Sequence, residues 1–258
     1  MKFSVITPNF NGAKYIEGCI KSVLSQNVDF EHIIIDSCST DLSLEIIRRY
    51  PHLKVISEND DGMYDAINKG LLLAEGEFLS YLNVDDRYVD GALEKVEQKF
   101  NKHKNVDYVF GDCRLIDFSG NSIYIYKVPP LPKSLLPQIT VIPWAQPSII
   151  YKREVFADIG FFNIKYILAS DYHFMKRVIL SKFLGLRINT VLSEFMKRND
   201  SLSSQYAIQM QNEVFKIKDE LKLPRSYFLD FFYNSYRKIY NFHTFFKVLI
   251  FLVAPFKV

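Results

Sequence analysis

Short apolar runs alternate with helical stripes through the first half of the chain. Lys2–Thr7 is an apolar run rich in β-branched residues and reads as a buried strand. Over Tyr15–Ser25, Ile16, Ile20, Val23 and Leu24 share one face, which predicts a helix. The alternation continues with strands at Glu31–Asp36, Leu53–Ser57, Glu77–Asn83 and Val106–Gly111. Helices are predicted between them at Ser43–Tyr50, Tyr64–Ala74 and Ala92–Lys102, with Pro51 and Gly76 acting as stops. The second half is less regular. Six prolines crowd residues 127–147, where persistent apolar residues indicate a loop-rich crossing rather than a linker. Ser148–Tyr151 reads as a strand, and Arg153–Ile159, Asp171–Ser181 and Ser204–Leu221 as helices. From Ser226 a new stripe appears: Phe228, Phe231, Phe232, Ser235, Ile239 and Phe242 on one face, Asp230, Asn234, Arg237, Lys238 and Asn241 on the other. Phe245–Phe256 is apolar apart from Lys247.

This order predicts an α/β domain with a mainly parallel sheet over residues 1–221, followed by a helical tail at 222–258. Ligands of such sheets bind beyond the carboxyl ends of the strands. Polar residues follow each predicted strand: Thr7-Pro8-Asn9, Asp36-Ser37-Cys38-Ser39, Glu58-Asn59-Asp60-Asp61-Gly62, Asn83-Val84-Asp85-Asp86 and Gly111-Asp112. A single Asp at a strand end is usually a turn former or helix cap, and Asp41 and Asp90 are read that way. Asp36, Asp60 and Asp85 on successive strands are read as a site. Such a rim can hold a divalent cation, supply a general base, or accept hydrogen bonds from hydroxyl and N–H groups. Oxygen ligands without a His/Cys cluster point to Mg2+ or Mn2+ rather than zinc. No GxGxxG follows the first strand, and neither GxxxxGK[ST] nor GxSxG occurs.

Composition narrows the class. With 48% hydrophobic and 24% charged residues in 258, the chain is neither disordered nor low-complexity. Cys19, Cys38 and Cys113 are odd in number and widely spaced, which fits a reducing compartment rather than a disulfide framework. The Asn199-Asp200-Ser201 triplet is then read as a chance match to a glycosylation signal. The apolar start is too short for a signal peptide, and no apolar run is long enough for an ordinary transmembrane helix. Net charge is +3 but unevenly placed. Residues 221–258 hold six Lys/Arg against one Asp, a net of +5, leaving −2 on the remainder. A basic, aromatic tail suits an anionic membrane surface better than nucleic acid.

Three stretches resemble the family 2 glycosyltransferases of the GT-A fold: FSVITPNFNGAKYIEGCIKSVLSQ, EHIIIDSCSTDLSLEII and SENDDGMYDAINKGLLLAEGEFLSYLNVDD. The last is similar to the branch that builds bacterial exopolysaccharide and O-antigen. The resemblance is strong over residues 3–115, weaker through VFGDCRLID, WAQPSIIYKREVFADIGFFN and ASDYHFMKR, and fades past about residue 200. It implies metal-dependent transfer of a sugar from a nucleotide donor, usually UDP-linked, with inversion. It divides the domain into a nucleotide-binding half, 1–115, and an acceptor-binding half, 116–221. Thr7, Pro8, Asn9, Asp36, Ser39, Asp60, Gly62, Asn68, Lys69 and Asn83 would then contact the nucleotide. Asn83-Val84-Asp85 occupies the DxD position, with Asp85, and Asp86 as a further candidate, on the metal. Asp171 resembles the catalytic base, and Trp144, Gln146, Tyr172 and His173 would border the acceptor. Three positions depart from the pattern: Asn83 replaces the first Asp, Ile67 stands where many relatives have Arg, and Ser170-Asp171 replaces a Glu-Asp pair. Arg198 is read as a surface residue or a phosphate contact.

The implied acceptor is a saccharide on polyprenyl diphosphate, and the implied location is the cytoplasmic face of the cell membrane. Residues 226–256 are expected to lie on that surface, with packing on the domain or on a second copy in a homodimer as the alternatives. Two other functions compete: a nucleotidyltransferase, for which Asn11-Gly12-Ala13-Lys14 is a poor triphosphate cradle, and a sugar-nucleotide-binding protein with a decayed site.

Overall fold

Phe3–Asn9 (β1) and Phe30–Asp36 (β2) are buried along almost their whole length, as apolar runs in the centre of a parallel sheet must be. They belong to a nine-stranded sheet with Lys54–Ser57 (β3), Phe78–Tyr81 (β4), Arg87–Tyr88 (β5), Tyr108–Ile116 (β6), Ser122–Tyr126 (β7), Ile149–Lys152 (β8) and Gly185–Met196 (β9). The order is β3-β2-β1-β4-β8-β6-β9-β5, with β7 paired to β6 beyond the end of β8. Strands β1, β2, β3, β4, β6 and β9 run one way, while β5, β7 and β8 oppose them. The computed structural model describes residues 1–142, 144–198, 201–224 and 227–253, and the side chains of 203, 227 and 242–253 fall outside that description.

Helices cover both faces. Ile16–Leu24 (α1) buries Ile16, Cys19, Ile20 and Val23, and Ala92–Lys102 (α4) buries Ala92, Leu93, Val96 and Phe100. Both stripes follow helical spacing. Phe3 and Val5 meet this layer. Ile6, Ile33 and Ile35 point the other way, onto Met63–Leu73 (α3), Arg153–Ile159 (α5) and Ser170–Leu180 (α6). Ile34 turns back toward α1 and Ser43–Ile47 (α2), where Ile47 meets it. Strand alternation therefore feeds two cores from one sheet.

All five strands expected in the first half form, and the helices at 92–102 and 153–159 have the expected limits. Several expectations are corrected. The fifth strand does not end at Gly111-Asp112: β6 continues to Ile116, and Asp112 lies buried within it. There its Oδ1 accepts the Val128 N–H at 3.0 Å and faces Arg187 at 3.2 Å. The helix expected over Ser204–Leu221 is broken at Tyr206 into Leu202–Gln205 (α7) and Ala207–Glu220 (α8). Strands β5, β7 and β9 were not foreseen.

Tyr227–Val253 (α9) packs on the domain by its polar side, with Asp230 on Thr140 and Asn241 on the Lys127 backbone. The parts of the tail expectation that fall on residues 226 and 254–256 lie outside the described residues, as do the side chains of 242–253. Among the described residues no helix is long and apolar enough to cross a membrane.

Candidate active site

Two loops at the ends of β1 and β2 are zipped together. Asn11, in the left-handed region at φ 52°, accepts the Thr40 N–H at 2.9 Å and gives its own N–H to Ser39 Oγ at 2.9 Å. Asp36 lies beneath them with no exposed surface. Its Oδ1 accepts Asn9 Nδ2 at 2.6 Å, and its Oδ2 accepts Ser39 N–H at 3.0 Å and Ser57 Oγ at 2.7 Å. Burial pushes the Asp36 carboxyl up, but the bonds from Ser39, Ser57 and Asn9 together hold it below the usual range. Asp36 is thus an internal tie that shapes the loop carrying Asn9 and Ser39. Asp41 accepts the Ser43 N–H as the expected cap, and also the Ala13 N–H. Gly12 is required here: a Cβ would meet Asn9 Oδ1 at 2.4 Å. Thr7 is corrected. Its hydroxyl is buried against His32 Nε2 at 2.9 Å and faces away from the rim. Pro8 is buried opposite Ile35, beyond the point where β4 stops pairing with β1, so its missing N–H breaks no ladder bond on that side. Phe10 was missed by sequence reasoning. It stands 68% exposed at this corner, an aromatic face with nothing packed over most of it.

After β3, Asp60 accepts the Gly62 N–H at 2.9 Å, and Gly62 takes φ 109° to start α3. Two residues expected on the nucleotide have other partners. Asn68 clamps the backbone of Phe162, donating to its carbonyl at 2.8 Å and accepting its N–H at 3.0 Å. Lys69 donates to the Asn59 carbonyl at 2.7 Å, and Glu58 at 2.9 Å and Asp65 at 3.4 Å surround it.

The Asn83-Val84-Asp85-Asp86 turn follows β4. Asp85 Oδ2 lies 3.0 Å from Arg198 Nε, and that guanidinium sits over the Tyr15 ring at 4.5 Å. Arg198 is therefore neither a solvated surface arginine nor remote from the site. The Asn83 Oδ1 is buried and has no hydrogen-bond partner. Asp86, the further candidate for the metal, is buried. It is 1% exposed, and burial and then the neighbouring Asp85 push its carboxyl well above the usual range. Among the described residues no group of three His, Cys, Asp or Glu is gathered for a metal. The donor set that remains, the Asp85 carboxylate and the orphaned Asn83 carbonyl oxygen, fits a hard cation that completes its shell with phosphate and water.

Asp171 sits in the first turn of α6, facing a small cavity lined by Ser80, Tyr81, Gln146, Tyr151, Phe162 and Met175 among others. Gln146 Nε2 donates to the Tyr81 carbonyl at 2.9 Å, tying this cavity to the end of β4, from which the Asn83 turn leaves. Burial raises the Asp171 carboxyl above the usual range, against hydrogen bonds from the Tyr172 N–H and the Tyr64 hydroxyl that lower it. Glu213 was also missed. Its Oε2 accepts the Leu168 and Ala169 N–H groups, each at 2.9 Å, and so caps α6 from α8. Its charge raises Asp171 further.

Three acceptor expectations are corrected. Trp144 is 6% exposed, its ring centroid 4.5 Å from that of Phe110 at an interplanar angle of 35°, and offers no open face. Tyr172 packs with Tyr166 and Ile217, and Lys176 lies 5.3 Å from its ring centroid. His173 Nε2 faces Glu220 of α8 at 3.4 Å. Neighbours in the same helix point to different sides, so proximity in sequence to Asp171 misled.

Comparison with known proteins gives the following. A family model described as "Glycosyl transferase family 2" matches residues 4–160. A "PGL/p-HBAD biosynthesis glycosyltransferase" of Mycobacterium bovis is 29% identical over 221 residues, covering 76% of this chain and 83% of that protein. Among solved structures, TarS of S. aureus in complex with UDP-GlcNAc aligns with a TM-score of 0.64 at 24% identity, covering 78% of this chain and 60% of that one. The mannosyltransferase PcManGT from Pyrobaculum calidifontis, in complex with GDP-Man and Mn2+, aligns at 0.61 with 18% identity, covering 83% and 64%. The chain thus spans about 60% of the length of such solved structures, and at these identities they establish the fold.

Proposed function

This chain belongs to glycosyl transferase family 2 and is a glycosyltransferase of the GT-A fold, and from that premise we propose a specific reaction. It moves one sugar from a UDP-sugar to a hydroxyl of a polysaccharide precursor carried on polyprenyl diphosphate, with inversion, at the inner face of the cell membrane. The TarS complex with UDP-GlcNAc supports a nucleotide-sugar donor, and the GDP-Man and Mn2+ complex supports a divalent cation.

The base of the nucleotide stacks on Phe10. Asp36 acts through Asn9 and Ser39, holding the loop that carries this platform. Asp60 and Gly62 border the same pocket. Asn83 and Asp85 would hold Mg2+ or Mn2+, and such a cation would supply charge neutralisation for the departing diphosphate. Asp171 takes the proton of the acceptor hydroxyl. The acceptor oxygen bonds to the anomeric carbon as the bond from that carbon to the diphosphate oxygen breaks, and UDP leaves. Gln146, which lines the same cavity, orients the acceptor.

One observation carries this reading. A carboxyl with a raised proton affinity, Asp171, faces a cavity that Gln146 ties to the end of β4, two residues before Asn83. Base, cation site and donor loop then serve one displacement. The test is a panel of UDP-, GDP- and dTDP-sugars, scored by thermal stabilisation with Mn2+ or Mg2+ and with EDTA. Metal-dependent stabilisation by UDP and one UDP-sugar is expected. A second reading, a binding protein without turnover, draws on the Arg198 contact with Asp85. UDP release on adding acceptor rejects it.

A further inference from the structure

The side of α9 turned to the protein is its polar side. Asp230 accepts from both the N–H and the hydroxyl of Thr140, whose hydroxyl also receives the buried Lys218 ammonium at 2.7 Å. One turn on, Tyr233 is 4% exposed. Arg237 lies 5.9 Å from the Tyr126 ring centroid. Asn241 accepts the Lys127 N–H at 2.8 Å and donates to the Lys127 carbonyl at 3.3 Å. Positions 230, 233, 237 and 241 form one helical stripe.

The opposite stripe is open. Phe228 and Phe231 are each 68% exposed, Ile239 66% and Phe232 53%. The rings of Phe228 and Phe232 are 4.3 Å apart, so the exposed surface is a continuous aromatic cluster. A helix that packs on a water-soluble domain normally buries its apolar face. Here the fixed contacts to Thr140 and Lys127 hold that face outward, and a contiguous apolar patch of this kind marks an interaction surface.

We propose that this outward face of α9 docks on the surface of an anionic lipid bilayer. The proposal rests on the membrane-side reading given under Proposed function and adds the surface that makes the contact. Charge selects the occupant. Residues 221–258 carry six Lys/Arg and one Asp, and Lys238, beside Ile239, is exposed. A second copy would bring the same positive charge against itself, whereas an anionic leaflet neutralises it. The helix is 27 residues, about 40 Å long, and from residue 242 to 253 its sequence has one charged residue, Lys247. A long helix with an apolar face and a basic margin lies in the interface plane rather than crossing it.

The test is flotation of the full chain with phosphatidylcholine vesicles, with and without phosphatidylglycerol. The chain should float with the anionic vesicles, less so at high salt. The triple variant Phe228→Ser, Phe231→Ser, Ile239→Ser should partition on the order of tenfold more weakly. Its thermal stability and UDP-dependent stabilisation should be unchanged, because the three side chains are exposed. Lys238→Glu, which leaves the aromatic face intact, should weaken binding to anionic vesicles only. If the triple variant still floats, another surface makes the contact; this proposal falls and the membrane reading stands. If the unaltered chain does not float, both fall. A dimer in solution that the triple variant splits assigns the face to a second copy and overturns the proposal.

Discussion

The guanidinium of Arg198 bridges two elements of the site: its Nε lies 3.0 Å from Asp85 Oδ2, and its plane covers Tyr15 at 4.5 Å. The carboxylate proposed to hold the cation therefore already has a positive partner. Both side chains are partly exposed, so the pair contributes only about 0–1 kcal/mol to folding. Asp85→Ala should abolish metal-dependent stabilisation by UDP while changing the melting temperature little. Arg198→Ala should strengthen binding of Mn2+ alone, by removing its competitor. Loss of the free Mn2+ signal in electron paramagnetic resonance measures both, and weaker Mn2+ binding by Arg198→Ala would reject the competition.

Asp171 works as a base only when ionised. Burial holds its proton to a higher pH than an ordinary aspartate, so kcat/KM should fall as pH drops through that raised value and be full above it. Asp171→Asn should lower kcat by about 10²–10⁴-fold with UDP binding retained. A group whose folded pKa is raised favours folding at low pH and loses that contribution as pH rises through the folded value. Asp171→Asn should therefore melt no lower than the parent at neutral pH. Glu213→Gln removes a charge that raises Asp171, and the acid limb of the pH profile should move to lower pH.

Asn68 is expected to act at a distance. Its two hydrogen bonds to the Phe162 backbone fix the segment leading into α6, and Phe162 stacks on Tyr64, the residue that bonds Asp171. Asn68→Ala leaves a carbonyl and an N–H without partners, a loss of about 1–3 kcal/mol. Steady-state kinetics should show kcat reduced with KM for the donor unchanged. A raised donor KM with unaltered kcat would instead make Asn68 a nucleotide contact.

Phe10 is mostly exposed, so Phe10→Ala should leave stability within about 0.5 kcal/mol. If the base stacks there, the variant loses about 1–3 kcal/mol of UDP affinity, a weakening of roughly 5–150-fold. Calorimetric titration with UDP reads this directly, and unchanged affinity would remove Phe10 from the site.

The first half of the fold was legible because β1, β2 and β4 are buried on both faces and its helices have single apolar stripes. Ile33, Ile34 and Ile35 could hardly be anything but a central strand. Strand β9 was not legible: its register against β6 shifts twice between Phe110 and Cys113, so no period of two survives along it. The rim was readable from strand ends, but not which carboxylates face outward. Asp36 and Asp86 are buried, whereas Asp60, Asp85 and Asp171 stay partly exposed. Phe10 carried a signal that was passed over, an aromatic between two asparagines at a strand end. Glu213 carried none, since it reaches the site from an element far along the chain, and Arg198 was noted as a surface residue or phosphate contact but not as the partner of Asp85. The aromatic stripe of α9 was legible as a stripe, but not that Asp230 and Asn241 on the opposite side anchor the helix to the domain.

The clamp between Asn68 and Phe162 also bears on how such enzymes can be recombined. The proposed base is encoded late in the chain, yet Tyr64 and Asn68, encoded early, hold it in place. An exchange of the C-terminal portions between two relatives would transplant the carboxylate without its holders. The interchangeable unit runs with the hydrogen bonds, so α3 has to travel with the segment it grips.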